Sequence, residues 1–208
     1  MATRHEHGGV TTPVDVEVLR AEIRRTYTDV STDQDLEFIF PTGRSWAEEL
    51  DYPQPELLRV PDATVASYAG VANHWKLGRI EPGTVVLDLG CGAGTDLLIA
   101  AQMAGPDGRA IGVDMTPGML ERARASAVAM SLENVELHEG LIEALPLADE
   151  SVDVVVSNGV IDLVLDKDAV FDEIDRVLRP GGRIQLADVV VHHEVSEDAR
   201  KRIDLWTG

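Results

Sequence analysis

The chain has 208 residues, 44% of them hydrophobic, and a formal net charge of −19 from 37 acidic against 18 basic residues. This length fits one domain with a sizeable core, and the acidic excess argues against a nucleic-acid partner because phosphates would be repelled. A single cysteine excludes an internal disulfide framework and any cysteine-rich metal site. No apolar run reaches the ~18 residues that span a bilayer, and residues 1–9 are too polar for a secretion signal. We therefore predict a cytoplasmic protein that acts on a small molecule, without a metal site or a membrane partner.

Residues 1–78 are predicted to form an N-terminal helical extension, a connector and a lid. Loosely helical spacing of apolar residues predicts a helix over 14–27, packed across the mouth of the following domain, with residues 12–13 as its start. Residues 40–61 contain four of the ten prolines, which predicts an irregular connector with short extended pieces. A short helix over 63–72 should then lead towards the first strand and fold over its end.

From residue 79 to residue 208, strands and helices alternate. Short apolar runs rich in β-branched residues predict strands, and helical periodicity predicts the helices between them. The strands are expected at 85–89, 110–114, 135–138, 152–157 and 183–191, and the helices at 95–104, 117–130, 167–178 and 196–206. Thr116 and Asp166 stand at two helix starts and are candidate caps. Right-handed crossovers make this an α/β fold with a doubly wound, mostly parallel sheet in the order 3-2-1-4-5.

The turn after the first strand, residues 88–96, reads Asp-Leu-Gly-Cys-Gly-Ala-Gly-Thr-Asp. Alternate glycines let the backbone bend sharply and approach a ligand, and the next helix presents unpaired amides. Thr95 stands where the dinucleotide fingerprint has glycine or alanine, and Asp88 would repel a pyrophosphate. S-adenosylmethionine has no phosphate and carries a sulfonium and an ammonium group, so it tolerates this carboxylate. The turn therefore favours S-adenosylmethionine over a nicotinamide dinucleotide.

Further candidate residues follow the ends of neighbouring strands, where the ligand crevice of such a sheet lies. Asp114 ends the second strand and is placed to bind the two ribose hydroxyls of an adenosine ligand. Met115 either flanks the adenine or packs in the core. Asn158 follows the fourth strand and faces the place where a methyl acceptor binds in this fold, and Asp162 is a candidate acid on the same side.

Three stretches resemble the arsenite methyltransferase group of S-adenosylmethionine-dependent enzymes. They are residues 86–95, residues 105–119 with Gly-Val-Asp-Met-Thr-Pro at 112–117, and residues 151–161. The resemblance extends over about residues 52–208. It implies a Rossmann-like class I methyltransferase fold that transfers a methyl group from S-adenosyl-L-methionine to a trivalent arsenical or a related soft nucleophile.

The candidate site residues combine this resemblance with the patterns described above. The cofactor-binding set is Asp88, Gly90, Cys91, Gly92, Gly94, Asp96, Asp114, Met115, Ile142, Glu143 and Asn158. Within it, the resemblance implies that the Ile142 amide and the Glu143 carboxylate read the adenine. On the acceptor side the candidates are Asn158 and Tyr27, and the sequence identifies no general base.

Two positions depart from the group. Members with arsenic chemistry hold the metalloid on cysteine thiolates, one before the first strand and one directly after the asparagine of the fourth strand, where this chain has Val71 and Gly159. A further cysteine of the group would follow residues 206–208. Because a soft metalloid needs thiolates, we expect arsenite methylation to be weak or absent. The alternatives are a methyltransferase of an ordinary small metabolite such as a quinol precursor, and an S-adenosylmethionine-binding protein without catalysis.

The fifth strand is the last that the sequence predicts, although methyltransferases of this type finish with two further strands beside it. It is then an edge strand with unpaired backbone groups and an apolar run at 189–191. We expect either that the natural protein continues beyond Gly208 with those strands, or that this edge pairs with a second copy in a homodimer.

Overall fold

The computed structural model describes residues 15–32 and 41–192. Its helices are α1 Val16–Thr32, α2 Gly43–Glu49, α3 Gln54–Leu57, α4 Asp62–Val65, α5 Thr95–Ala104, α6 Pro117–Ala129 and α7 Lys167–Val177. Its strands are β1 Val85–Leu89, β2 Arg109–Asp114, β3 Val135–Glu139, β4 Val152–Asn158 and β5 Leu178–Ala187, and short 3-10 helices cover His74–Leu77 and Ile161–Leu163. None of the helices in these two ranges is long and apolar enough to cross a membrane.

The strands form one parallel sheet in the order β3-β2-β1-β4-β5, as predicted. β1 lies at its centre, where Val86 is the register partner of Ala110 on β2 and of Val154 on β4. Val86 packs in the apolar cluster that includes α5, and its neighbour Leu87 packs in the cluster that includes α7. Helices therefore cover both faces of the sheet, which is why β1 is apolar without alternation. The doubly wound α/β fold is confirmed.

The first four strands and the helices α5, α6 and α7 begin and end within one residue of their predicted limits. The last strand does not. We predicted 183–191, whereas β5 begins at Leu178 and ends at Ala187. It begins early because Leu178 pairs with Val152 ahead of a bulge, and it ends early because β4 stops opposite Ala187. Residues 188–191 therefore have no neighbouring strand to bond with.

The connector is helical where we predicted irregular and extended chain. Both α2 and α3 lie within 40–61, so that prediction is wrong. The prolines do not oppose α3, because Pro53 is its N-cap residue and Pro55 lies in its first turn, where no intrahelical N–H bond is lost. The helix predicted over 63–72 is too long, since α4 ends at Val65 and the following backbone is bonded to α2 and β4 instead.

The predicted N-terminal helix is present as α1 and continues to the end of the first described range. Its cap is Asp15, whose Oδ1 accepts hydrogen bonds from the backbone N–H groups of Glu17 and Val18 at 2.9 and 3.3 Å. The start predicted at residues 12–13 and the helix predicted over 196–206 lie outside the described residues.

The two candidate caps behave differently. Asp166 Oδ1 accepts a hydrogen bond from the backbone N–H of Ala169 at 3.0 Å, which confirms it as the N-cap of α7. Thr116 makes no side-chain cap bond, so that prediction is wrong. Its backbone N–H donates to Asp114 Oδ1 at 2.8 Å instead, which holds the start of α6 against the end of β2.

A pair of carboxyl groups joins the turn after β4 to the end of β5. The Asp188 carboxylate accepts hydrogen bonds from the backbone N–H groups of Ile161 and Asp162 at 3.0 and 3.3 Å. Burial, with the hydrogen bond and the charge of Asp188, raises the pKa of Asp162 to about 7, although Lys167 opposes the shift. The carboxyl group of Asp162 therefore keeps its proton to a higher pH than a carboxyl group in water, beside the carboxylate of Asp188.

Asp162 should make the free energy of unfolding depend on pH. Because its pKa is higher in the folded protein than in the unfolded chain, its stabilising contribution is complete below about pH 4 and is lost as the pH rises through about 7. Asp162→Asn keeps a donor for Asp188 and removes the titration. Urea unfolding at a series of pH values should show the wild type losing stability relative to this variant as the pH rises, with exposed Asp168→Asn as the control for one lost charge. A difference that stays constant with pH would contradict the assignment.

Candidate functional site

A cavity of about 340 Å³ lies beyond the carboxyl ends of β1, β2 and β4, with α1 along its wall. The structure brings together in its lining all the predicted site residues except Gly94 and the candidate acid Asp162. These are Asp88, Gly90, Cys91, Gly92, Asp96, Asp114, Met115, Ile142, Glu143 and Asn158 of the cofactor-binding set, and Tyr27 on the acceptor side. They converge because the carboxyl ends of parallel strands meet at one edge of the sheet.

Two glycines of the turn after β1 are required for different reasons. Gly90 has a φ of 64°, and a Cβ atom on it would lie 2.5 Å from Val160 Cγ1, in the segment that follows β4. Gly94 has a φ of 96°, and a Cβ atom on it would lie 3.0 Å from Ala123 Cβ on α6. Gly94 therefore lets α5 approach α6, which explains why it lies outside the cavity wall.

Three buried or half-buried carboxylates surround the glycine turn, and Asp88 is the least satisfied of them. Asp88 is 3% exposed, and its Oδ2 atom has no hydrogen-bond partner in the described part of the chain. Burial, together with the charges of Asp96 and Asp114, raises the pKa of Asp88 well above its usual range. A cationic ligand would relieve this repulsion, whereas a phosphate would add to it. The site therefore fits the sulfonium and ammonium groups of S-adenosylmethionine.

Asp114 is bonded to the turn that it faces. Its Oδ2 accepts the N–H of Gly92 at 2.9 Å, and its Oδ1 accepts that of Thr116. Burial raises the pKa of Asp114, and these amide bonds oppose the shift. Each carboxylate oxygen keeps a further lone pair, so Asp114 can still accept hydrogen bonds from the hydroxyls of a ribose.

Cys91 is a poor candidate for holding a metalloid. It is buried in the glycine turn, and burial, with the charges of Asp114 and Asp88, raises the pKa of its thiol well above the usual range. Since the thiolate is the form that binds soft metals, Cys91 serves the turn as a small apolar residue.

Asp96 is held by three residues ahead of β1 that the sequence analysis did not single out. The Tyr52 hydroxyl donates to Asp96 Oδ2 at 3.1 Å, and Trp75 Nε1 donates to Oδ1 at 2.9 Å. His74 Nε2 lies 3.3 Å from the same Oδ1 atom. The sequence signal for this cluster is the group of aromatic residues ahead of β1. Their partner, Asp96 on α5, could not be inferred from spacing.

Asn158 hydrogen-bonds residues ahead of β1 and so links them to the end of β4. Its Oδ1 accepts the backbone N–H of Val71 at 2.7 Å, and its Nδ2 donates to the Tyr52 and Tyr68 hydroxyls at 2.7 and 3.2 Å. The side chain therefore fixes the segment that forms one wall of the cavity. Its predicted contact with cofactor or acceptor stays a prediction.

The helix α1 forms the part of the cavity wall beside Met115 and Glu143. Leu19 and Ile23 are 2% and 6% exposed and form an apolar cluster with Met115. Arg20 Nη2 lies 3.2 Å from Glu143 Oε1, so the carboxylate predicted to read the adenine is paired with this helix. A surface pair of this kind contributes little stability by itself, but it orients Glu143 along the cavity wall.

Neither acceptor-side candidate is a base. Burial, reinforced by the charges of Asp162, Asp114 and Asp188, raises the pKa of the Tyr27 phenol, which therefore stays neutral. The Asn158 amide does not titrate. Within residues 15–32 and 41–192, no three His, Cys, Asp or Glu side chains are grouped so that they could hold a metal ion.

Comparison with known protein families agrees with this geometry. Residues 80–207 match the sequence model of the methyltransferase domain family. The chain belongs to this family.

The relatives of this methyltransferase domain include arsenite methyltransferases. That of Halobacterium salinarum is 45% identical over 167 residues, which cover 80% of this chain and 42% of the relative. That of Aquipseudomonas alcaligenes is 40% identical over 141 residues, which cover 62% of this chain and 41% of the relative. The crystal structure of an arsenic(III) S-adenosylmethionine methyltransferase from Chlamydomonas reinhardtii matches with a TM-score of 0.63 at 37% identity, over 70% of this chain and 51% of that one. The chain therefore spans less than half the length of these curated relatives.

These similarities confirm the predicted protein class, a Rossmann-like class I methyltransferase domain that uses S-adenosylmethionine. They favour the arsenite methyltransferase group over the two alternatives, a methyltransferase of an ordinary metabolite and a cofactor-binding protein without catalysis. The individual contacts between cofactor and side chains stay predictions.

Asp114→Ala should weaken the binding of S-adenosylmethionine and of S-adenosylhomocysteine about tenfold or more. The change removes the acceptors for the ribose and for Gly92 together, and hydrogen bonds to a charged group contribute about 1.5–3 kcal/mol each. Isothermal titration calorimetry measures the effect. Glu139→Ala, at the exposed end of β3, is the control and should bind like the wild type. Tight binding of a nicotinamide dinucleotide with no response to S-adenosylhomocysteine would overturn the cofactor contacts.

Proposed function

We propose that this chain transfers a methyl group from S-adenosylmethionine to a small soft nucleophile, as the catalytic domain of a protein of the arsenite methyltransferase group. The observation that carries this proposal is the cavity at the glycine turn, whose lining includes Asp88 with a buried carboxylate oxygen that has no hydrogen-bond partner among the described residues. This environment favours a sulfonium ligand. The sulfonium already activates the methyl group, so the protein mainly has to orient the acceptor and exclude water.

The proposed contacts divide the cavity into three parts. Asp88, with the backbone of Gly90 and Gly92, faces the charged methionine end of the cofactor. Asp114 and Met115 hold the nucleoside, the Ile142 amide and the Glu143 carboxylate read the adenine, and the acceptor enters between Asn158 and Tyr27. We further propose that residues 1–78 serve as N-terminal extension, connector and lid and that residues 79–208 form the S-adenosylmethionine-binding domain.

The two positions at which the resemblance to arsenite methyltransferases implies cysteines, Val71 and Gly159, lie side by side in this fold. A Cβ atom built on Gly159 would lie 3.1 Å from Val71 Cγ1, so the two positions are in van der Waals contact. Two thiolates there could bind one metalloid together, whereas valine and glycine offer no ligand. The proposed acceptor is therefore a soft nucleophile other than free arsenite.

Arsenite should be methylated far more slowly than the ~1 per second that is ordinary for an enzyme. The double variant Val71→Cys with Gly159→Cys should gain arsenite binding, measured by equilibrium dialysis, because it restores neighbouring thiols. The matched control is Val71→Ser with Gly159→Ser, which places the same strain on Gly159, whose φ is 68°, without adding sulfur. Arsenite turnover by the wild type at an ordinary enzyme rate would contradict the proposal.

We also propose a cytoplasmic location, no nucleic-acid partner, and a homodimer that forms through the free edge of β5. The net charge of −19 argues against binding to phosphates. Along β5 no strand pairs with the outer edge in the part of the chain that the structure describes, and Ile184 on this strand is 44% exposed. Val189, Val190 and Val191, directly after it, are 53, 71 and 67% exposed. Apolar edges of this kind favour pairing with a second chain.

Sedimentation velocity should show a dimer that Ile184→Lys and Val190→Lys convert to a monomer, because a buried lysine opposes edge pairing. Val128→Lys, at a residue that is 74% exposed on α6, is the matched control and should leave the dimer intact. A wild type that remains monomeric at every concentration would contradict the dimer without affecting the proposed chemistry.

A further inference from the structure

The acceptor side of the cavity, the part of its lining between Asn158 and Tyr27, is walled mainly by apolar side chains. Tyr27, Leu163 and Leu165 line it and pack against one apolar cluster on α1. Val164, between these two leucines, belongs to the same lining. A charged or strongly polar molecule would lose its water here, and the side chains of this wall offer few hydrogen bonds in return. The wall therefore favours an apolar acceptor.

Asn158 borders this space, but its amide is already fully bonded. Its Oδ1 accepts the backbone N–H groups of Val71 and Ala72 at 2.7 and 3.4 Å. Its Nδ2 has three acceptors, the Tyr52 and Tyr68 hydroxyls at 2.7 and 3.2 Å and the Ala72 carbonyl at 2.9 Å. An amide has only two N–H protons and two carbonyl lone pairs, so none is left over for an acceptor. Asn158 therefore shapes the acceptor side without hydrogen-bonding the molecule that enters it.

The carboxyl groups of the cavity are also committed. Among the described residues the lining contains five, and the fifth in this account, Asp88, keeps an unpartnered oxygen at the glycine turn, where the charged end of the cofactor is proposed to bind. Hydrogen bonds and neighbouring cations stabilise the ionised form of a carboxyl group and so lower its affinity for a proton. The other four are bonded to backbone N–H groups of the glycine turn and α6, to side chains ahead of β1, to a guanidinium of α1 and to a backbone N–H of α7; in this order they are Asp114, Asp96, Glu143 and Asp166.

The remaining titratable groups of the lining keep their own protons. Burial, and then the charges of nearby carboxylates, raise the pKa of the Tyr27 and Tyr68 phenols and of the Cys91 thiol. A group that stays protonated and neutral cannot take a proton from a substrate. The guanidinium of Arg20 is paired with Glu143 and is always protonated. The described lining thus surrounds the acceptor with apolar groups and committed acids.

We propose that the methyl acceptor is a neutral thioether, an apolar molecule whose sulfur has a free lone pair and no proton to lose. This inference rests on the proposed methyl transfer and names the class of its acceptor. Leu163, Val164 and Leu165 are the specificity-determining residues, because they form the apolar wall against which the thioether packs.

Other nucleophiles fit this cavity less well. A thiol, an alcohol or a carbon acid has to lose a proton before or during methyl transfer, and so needs a base. A thiolate or another anion formed in solution would be repelled by the carboxylates of the lining. An amine with a pKa of about 10 is protonated at neutral pH, and acidic surroundings hold it in that form, so its lone pair is occupied. The lone pair of a thioether is available at every pH.

The proposed step balances without a proton transfer. The electron pair of the thioether sulfur forms the new S–CH₃ bond, and the electron pair of the broken C–S bond stays with the sulfur of S-adenosylhomocysteine. The acceptor leaves as a sulfonium cation. The positive charge therefore moves from one sulfur to another inside the same acidic cavity, and the net charge of the site does not change. The carboxylates that favour a cationic cofactor also stabilise the cationic product.

The first test measures binding without turnover. The protein is saturated with S-adenosylhomocysteine, and three probes with one carbon frame are titrated by calorimetry: benzyl methyl sulfide, its product benzyl dimethyl sulfonium, and the anion 4-(methylsulfanylmethyl)benzoate. The sulfide and the sulfonium should bind, and the anion should bind at least about tenfold more weakly than the sulfide, a difference of about 1.4 kcal/mol. An anion that binds as tightly as the sulfide would overturn the proposal.

A charge placed in the wall should reverse this preference. Leu165→Lys should weaken binding of the sulfonium about tenfold and strengthen binding of the anion, because it puts a cation on the acceptor side. Leu165→Gln is the uncharged control of similar size and should weaken the sulfide without favouring the anion. Phe171→Lys adds the same charge on α7 at a residue that is 45% exposed and lies outside the lining, and it should bind all three probes like the wild type. An equal response of Leu165→Lys and Phe171→Lys would contradict the assigned wall.

The second test adds S-adenosylmethionine and compares methylation of benzyl methyl sulfide with that of phenylmethanethiol, measured by mass spectrometry. The sulfide should be methylated at a rate that is nearly constant from about pH 6 to about pH 9, because no proton has to leave. The thiol should react more slowly at pH 7. Methylation of the thiol but not of the sulfide would overturn the acceptor class and leave the proposed methyl transfer intact. If the sulfide and the sulfonium bind as expected and neither the sulfide nor the thiol is methylated, the recognition of thioethers stands and the proposed methyl transfer is wrong.

Discussion

A carboxylate that is removed from water must be hydrogen-bonded, paired or neutralised, and three such groups meet at the end of this sheet. Each is satisfied differently. Asp114 is bonded to backbone amides of the glycine turn and of α6, and Asp96 takes its donors from side chains of the connector. Asp88 keeps an oxygen without a partner among the described residues. The demand for positive charge is therefore concentrated at Asp88, which is where the charged end of a sulfonium cofactor is expected.

The segment ahead of β1, residues 52–75, supplies several of the hydrogen bonds that hold the site together. Asn158 bonds it to the end of β4, and Asp96 bonds it to the start of α5. Its position therefore depends on the sheet, and the shape of the cavity depends on its position. The same arrangement sets Val71 beside Gly159. The shape of this small region therefore bears on whether a metalloid could be held there.

Much of the fold, and the cluster of residues around the glycine turn, could be predicted from sequence because the signals are local. An apolar run, a glycine turn and a helical periodicity each extend over only a few neighbouring residues. The observed limits of β1 and α5 therefore agree with the limits that these patterns predict. The position of Asp114 beside the glycine turn could be predicted because Asp114 ends β2, the strand next to β1. Where the local pattern was wrong, as for Thr116, a neighbouring carboxylate competed for the same helix start.

The sequence by itself determined the order of elements, the glycine turn and the acidic character of the crevice, since each depends on neighbouring residues in the chain. Only the tertiary structure decided the rest. Tyr52 reaches Asn158 across 106 positions of sequence and Asp96 across 44, and β5 takes its limits from the length of β4. A sequence cannot display the spacing of such contacts, because they arise only when separate elements pack at the same edge of the sheet. The shape of the cavity therefore depends on residues that are far apart in the chain.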